Sequence, residues 1–293
     1  WFAWIYSAAN LLLVFCPVRG VVQICVNAWY VSNLFNVWLS AIGIGAIFYF
    51  LPKLTGRPLY SYYLAQVAFW GIALFGGWGF INVNAPLPSW IPSLSAVLGV
   101  MMILPVLAVF LNVRGTACGC TGASSDDRVL TLFRFGSLSF VVAQLMNVIG
   151  AIRPINEILA FTYFFPAQNH WLVLGFFASV MFGAFYYILP QVLNVDPIAS
   201  AKIRLQTIFL LGGVILTGVA LGVGGIFQGI NLSKTDVAFA DVIKGTFPFI
   251  FASTTGWLLI VIAGLLLLLN LLSLGGRAGC ACWKKCGKSE VCS

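Results

Sequence analysis

The sequence is built from apolar runs of about 20 residues or more, separated by short stretches that hold nearly all of its charges. Such runs match the length of a helix that crosses a hydrocarbon layer. They are too long for the roughly ten-residue alternating strands of a membrane barrel. Only 8% of the 293 residues are charged and 61% are hydrophobic, so a folded form has too little polar surface to face water on all sides. Lipid must solvate its outside, where every backbone N–H and C=O has to find a partner within the fold. The expected architecture is therefore all-α, a polytopic membrane helix bundle, and a soluble enzyme is excluded. The formal charge of +8 does not indicate a nucleic-acid partner, because the basic residues stand singly or in small groups at the ends of the apolar runs.

Eight apolar segments can be drawn, at about 1–15, 22–51, 61–82, 91–112, 129–151, 163–190, 204–228 and 246–274. They predict one transmembrane domain over 1–275 and a short cysteine-containing tail over 276–293. Lys53, Arg57, Arg114, Arg128, Arg134, Lys202, Arg204, Arg277, Lys284, Lys285 and Lys288 fall on one side; Arg19, Arg153, Lys234 and Lys244 fall on the other. The first side is expected to be cytoplasmic, as in a multi-pass protein of a bacterial inner membrane. Loops at about 83–90, 152–162 and 229–245 are then expected on the outer side, and a loop at 113–128 on the cytoplasmic side. The chain opens on Trp1 inside an apolar stretch without an initiator Met, which implies a leading segment that is missing here or removed by processing. Internal Pro and Gly, such as Pro105 and Gly76-Gly77, read as sites of close helix packing.

A membrane bundle that binds haem and copper needs several imidazoles directed inward. This chain has one histidine, His170, in Pro166-Ala167-Gln168-Asn169-His170-Trp171 near the outer end of a predicted helix. It is either a haem ligand or an imidazole bonded locally at the interface. Met101, Met102, Met146 and Met181 read as packing. Of eight cysteines, Cys16 and Cys25 read as isolated packed thiols. Cys118 and Cys120 in one loop and Cys280, Cys282, Cys286 and Cys292 in the tail could approach one another as free, reversibly oxidised, metal-bound or lipidated thiols. The spacing fits neither a zinc ribbon nor a ferredoxin run. No carboxylate falls at a span midpoint, which disfavours a proton or ion transporter, and Glu157 beside Arg153 reads as a loop-fixing pair. Tyr30, Tyr49, Tyr62, Tyr63, Tyr186 and Tyr187 read as interfacial anchors.

Several stretches carry a specific resemblance: Trp29-Tyr30-Val31-Ser32-Asn33, Gly45 to Lys53, Gly56 to Tyr63, Phe69-Trp70, Pro86-Leu87-Pro88-Ser89-Trp90 and Phe182 to Pro190. In order and spacing the chain resembles the catalytic subunit of cbb3-type cytochrome c oxidases, of the haem-copper oxidase superfamily. It corresponds to the later two-thirds of that family's twelve-helix core. The resemblance implies oxygen reduction at a high-spin haem and copper pair, fed through a low-spin haem. It also implies ligand positions that this chain does not fill. Ser32 stands where the family has a copper-binding His, and the region Phe80 to Asn84 lacks the adjacent copper-binding pair. The redox-active Tyr position falls near Gly76, and Gln168 aligns with the high-spin haem ligand. Only His170, aligned with the low-spin haem ligand, survives.

Serine and glutamine are poor substitutes for imidazole, so no metal is expected at Ser32 or Gln168. The expected function is a noncatalytic structural or assembly subunit of a membrane respiratory electron-transfer complex, with a degenerate active site and no cofactor of its own. Its expected partners are other membrane subunits, among them a catalytic oxidase subunit or cytochrome c subunits, together with lipids. The alternatives are an electron-transfer subunit that keeps a low-spin haem b at His170, and a quinone- or lipid-binding membrane subunit. In the first reading large side chains occupy the former cofactor space, with Phe75, Trp78, Phe80, Phe140 and Trp171 as candidates.

Overall fold

The computed structural model describes residues 2–16, 18–78, 87–117 and 127–289. In chain order the helices are α1 (Ala3–Phe15), α2 (Val21–Thr55), α3 (Tyr62–Phe75), α4 (Trp90–Ala117), α5 (Asp127–Ala151), α6 (Arg153–Leu159), α7 (Phe164–Leu193), α8 (Ser200–Leu232) and α9 (Phe239–Ser289). The described residues contain no strand. Each of the eight apolar segments forms a helix. Six of these, α2, α4, α5, α7, α8 and α9, are long and apolar enough to cross a membrane, while α1 and α3 are shorter apolar helices. At α3 the ends are local: the Ser61 hydroxyl accepts from Leu64 N at 3.4 Å, and the helix stops before Gly76.

Three connections differ from expectation. The segment expected as an outer loop at 152–162 contains α6, which starts with Pro154 in its first turn and is anchored by Asn156 Nδ2 donating to Gly150 O at 2.7 Å. The loop expected at 229–245 shrinks to 233–238 because α8 and α9 run into it from both sides. In lipid-embedded helices an extra turn pairs backbone groups that a loop would leave open, and that favours extension. Likewise α4 and α5 extend into the expected 113–128 loop, of which 118–126 lies outside the described residues. Helix α9 continues unbroken past residue 275 to Ser289.

Helix α5 lies at the centre, packed against α2, α4, α6 and α7. Helices α8 and α9 form an antiparallel pair held by small residues. A Cβ on Gly213 would sit 2.7 Å from Gly256 O, and Thr217 Oγ1 donates to Ser253 O at 3.2 Å. Away from its seam with α8, α9 is mostly exposed, with Phe251, Leu258, Val261, Leu265 and Leu269 facing outward, so this face is the lipid-facing edge of the bundle. Gly71 approaches the Pro105 ring so closely that a Cβ there would lie 2.9 Å from it, the close packing expected at Pro105.

Besides Leu11–Phe15 at the end of α1, two stretches inside longer helices widen from α to π geometry, Asn33–Leu39 in α2 and Trp171–Ala178 in α7, and these two pack against each other. Both end on a serine whose hydroxyl donates back five residues, Ser40 to Phe35 O at 3.3 Å and Ser179 to Leu174 O at 3.2 Å. A wider turn leaves carbonyls off the regular ladder, and here the hydroxyls take them up.

Candidate functional site

The widened turns begin immediately after the two ligand positions singled out from sequence, Ser32 on α2 and the Gln168 to His170 run on α7. Single-turn π insertions recur at functional sites because they re-aim side chains without ending the helix. Ser32 is fully buried, and its hydroxyl donates to Gly76 O at 2.8 Å. The next residue, Asn33, donates through Nδ2 to Trp29 O at 2.8 Å and to Gly77 O at 3.2 Å. This polar part of α2 is thereby tied to the backbone that follows α3.

One turn further, Asn36 Oδ1 accepts from Gln144 Nε2 at 3.2 Å, and Gln144 Oε1 accepts from Asn147 Nδ2 at 3.3 Å. All three amides are buried, forming a polar rung between α2 and α5 inside an apolar bundle. Helices α5 and α7 run antiparallel, with Gly150 opposite Phe165 and Ser139 opposite Gly175, which puts Gln168 level with Asn147. Gln168 is fully buried, and among the described residues neither of its side-chain polar atoms has a partner.

His170 follows two residues later, about 200° round the helix, and so faces elsewhere. It meets α8 and α9: Nε2 lies 3.2 Å from Val214 O, and the ring sits edge to face on Trp257 with centroids 5.3 Å apart. Its Nδ1 has no partner among the described residues. Trp171 packs its indole against Gly218, where a Cβ would lie 2.5 Å from Nε1.

Phenylalanine rings fill the space beneath the polar rung. Phe176, on the widened turn of α7, is fully buried with its ring pressed onto Gly43 of α2 and 4.9 Å from the Phe140 ring of α5. Of the residues expected to fill this space, Phe140 and Trp171 are buried, Phe75 packs against the core, and Phe80 lies outside the described residues. Trp78 does not serve: 46% exposed, it lines a surface groove with Trp29 and Trp90.

Other expectations are corrected by the tertiary contacts. Tyr186 is no interfacial anchor: it is 5% exposed and accepts from Asn270 Nδ2 at 3.0 Å. Tyr49, Tyr62 and Tyr63 are exposed as anchors should be. Arg153 forms no ion pair with Glu157 and donates instead to Ser93 Oγ on α4. Cys25 is half-buried, but Cys16 is exposed rather than packed. Cys118, Cys120 and Cys292 lie outside the described residues, while Cys280, Cys282 and Cys286 fall along the last turns of α9. Among the described residues no group of three or more His, Cys, Asp or Glu is placed to hold a metal ion.

Over residues 1–274 the sequence matches the family model of Cytochrome C and Quinol oxidase polypeptide I. The chain belongs to this family. A relative named cytochrome c oxidase subunit 1, from Rhodobacter capsulatus, is 26% identical over 87% of this chain and 49% of its own length. The cbb3-type cytochrome c oxidase subunit CcoN1 of Stutzerimonas stutzeri is 28% identical over 72% of this chain and 45% of its own. A solved haem-copper terminal oxidase dimer superposes with a TM-score of 0.74 at 15% identity, covering 93% of this chain and 54% of that one. The fold is thus the haem-copper oxidase fold, and the chain spans about half the length of the curated relatives it matches.

Haem and copper are the groups such a fold implies, and the residues present fit them poorly. With one histidine in the chain, a set of three copper imidazoles cannot be assembled from it. The Ser32 hydroxyl is spent on a backbone carbonyl. Gln168 presents an amide, and the tip nitrogen of His170 faces Val214 O at 3.2 Å instead of open space. The identities of Ser32, Gln168 and His170 were legible in sequence. Val214 and Trp257, which meet His170, and Phe176, which packs on Gly43 and Phe140, gave no such signal, because they join only through helix packing.

Proposed function

We propose that this member of the oxidase family is a noncatalytic structural or assembly subunit within a membrane respiratory complex of a bacterial inner membrane. The observation that carries this reading is the Ser32 position. Where the family resemblance calls for a copper imidazole, a buried hydroxyl closes a hydrogen bond to Gly76 O, and further along α2 the Phe140 and Phe176 rings fill the space between α2, α5 and α7. Such a centre stabilises the bundle by packing, and it offers no group that could polarise dioxygen. Partners in this reading are membrane subunits that retain the redox centres, including a catalytic oxidase subunit or cytochrome c subunits.

One observation favours a second reading, an electron carrier with one low-spin haem b. His170 is the position that resemblance assigns to that haem, and its buried Nδ1 has no partner among the described residues. The pyridine haemochrome spectrum and the metal content of the purified complex, compared with a His170→Ala variant at matched assembly, decide between the two. Unchanged haem and copper content supports the structural subunit; loss of one b-type haem per chain overturns it in favour of the carrier.

A further inference from the structure

The end of the bundle that collects most of the basic residues carries a cavity of about 300 Å³ between α4 and α5. Two guanidinium groups line it, Arg114 in the last turn of α4 and Arg134 in the second turn of α5. The helices are antiparallel with Gly99 against Ala151, which brings positions 114 and 134 to nearly the same level. Among the described residues no carboxylate lines the cavity and neither arginine is in a salt bridge. The floor is apolar, formed by Phe110 and Val113.

Each arginine also ends an exposed apolar stripe. On α4, Leu104, Leu107 and Leu111 lead to Arg114 at helical spacing; on α5, Leu138 and Leu145 lead to Arg134. The last turn of α4 is held in place from its other side. Asn112 exchanges hydrogen bonds with Ser61, donating to Ser61 O at 2.9 Å and accepting from Ser61 N at 3.1 Å, and Thr116 Oγ1 accepts from Tyr60 N at 3.1 Å. The cationic pocket is therefore fixed by the fold at the mouth of a lipid-facing groove.

We propose that this pocket is a binding site for an anionic glycerophospholipid, with the phosphate between Arg114 and Arg134 and the acyl chains along the two leucine stripes. Paired guanidinium groups present forked donors that match phosphate oxygens, and their charge is uncompensated among the described lining side chains. A zwitterionic lipid would bring its own cation to the same pocket and lose that advantage.

The test is native mass spectrometry of the purified protein in detergent micelles titrated with phosphatidylglycerol, phosphatidylcholine or inorganic phosphate. Wild type should bind phosphatidylglycerol in preference to phosphatidylcholine. Arg114→Gln/Arg134→Gln should weaken phosphatidylglycerol roughly 30-fold, the size expected for two basic contacts at a membrane surface. Arg114→Lys/Arg134→Lys, which keeps the charge, should retain most of the affinity, separating lost attraction from misfolding. Arg204→Gln, an exposed cation at the same end, should leave affinity unchanged. Equal binding of the two lipids, undiminished binding in the Gln pair, or an equal loss in Arg204→Gln overturns the proposal. Inorganic phosphate competing as well as the lipid would make this a soluble-anion site and overturn it too.

Discussion

Replacing Phe176 with alanine tests whether the centre of the bundle is packed solid. The ring is fully buried, lies on Gly43 and meets Phe140 at a centroid distance of 4.9 Å. In lipid the transfer of a ring out of water contributes little, because the separated helices are already solvated by apolar chains. What remains is the void: removing about 100 Å³ at roughly 24 cal/mol per Å³ of residual cavity costs about 2.4 kcal/mol. The lost aromatic pair adds about 1 kcal/mol. Phe176→Ala should therefore destabilise by about 3 kcal/mol in reversible unfolding in mixed micelles. Phe251→Ala, at a ring 64% exposed on the lipid-facing side of α9, should cost less than about 1 kcal/mol. The contact itself can be isolated. A methyl at Gly43 collides with the Phe176 ring, so Gly43→Ala should be destabilising alone and close to neutral in the Phe176→Ala background. If Phe176→Ala costs no more than Phe251→Ala, or the Gly43→Ala penalty persists without the ring, the picture of a centre refilled by this side chain is wrong.

Asn36→Leu should cost about 1–3 kcal/mol, since it strands the Gln144 amide in an apolar interior, while Asn36→Leu/Gln144→Leu should cost less than the sum of the two single changes in the same unfolding assay. Gly218→Val should destabilise by about 1–3 kcal/mol by forcing the Trp171 indole aside, with tryptophan fluorescence reporting the displacement. Ser32→His should not recruit copper, because no second imidazole besides His170 exists in the chain to share it; elemental analysis of the purified variant reading near one copper per chain would contradict the assignment of the emptied site.

The sequence alone determined that this chain is a lipid-solvated helical bundle, because long uncharged runs leave water no surface to solvate and leave the backbone no unpaired option but helix. It also determined which residues stand where the family resemblance places ligands: the identity of residue 32 or 168 is a local fact, and a single histidine bounds how many imidazoles this chain can bring to a metal. Tertiary structure decided how the interior is joined and filled. Asn36 and Gln144 lie 108 residues apart, and nothing along the chain foretells that they share a hydrogen bond. Phe176 reads in sequence as one more aromatic in an apolar run, and only the meeting of α2, α5 and α7 makes it the filling of the centre. Tyr186 shares the composition of an interfacial anchor but is drawn inside by Asn270 on α9. The widened turns after Ser32 and His170 likewise escape any reading based on a 3.6-residue period. Helical periodicity and composition are carried by neighbours in the chain, whereas the pairing of buried polar groups and the filling of space depend on partners that only packing brings together.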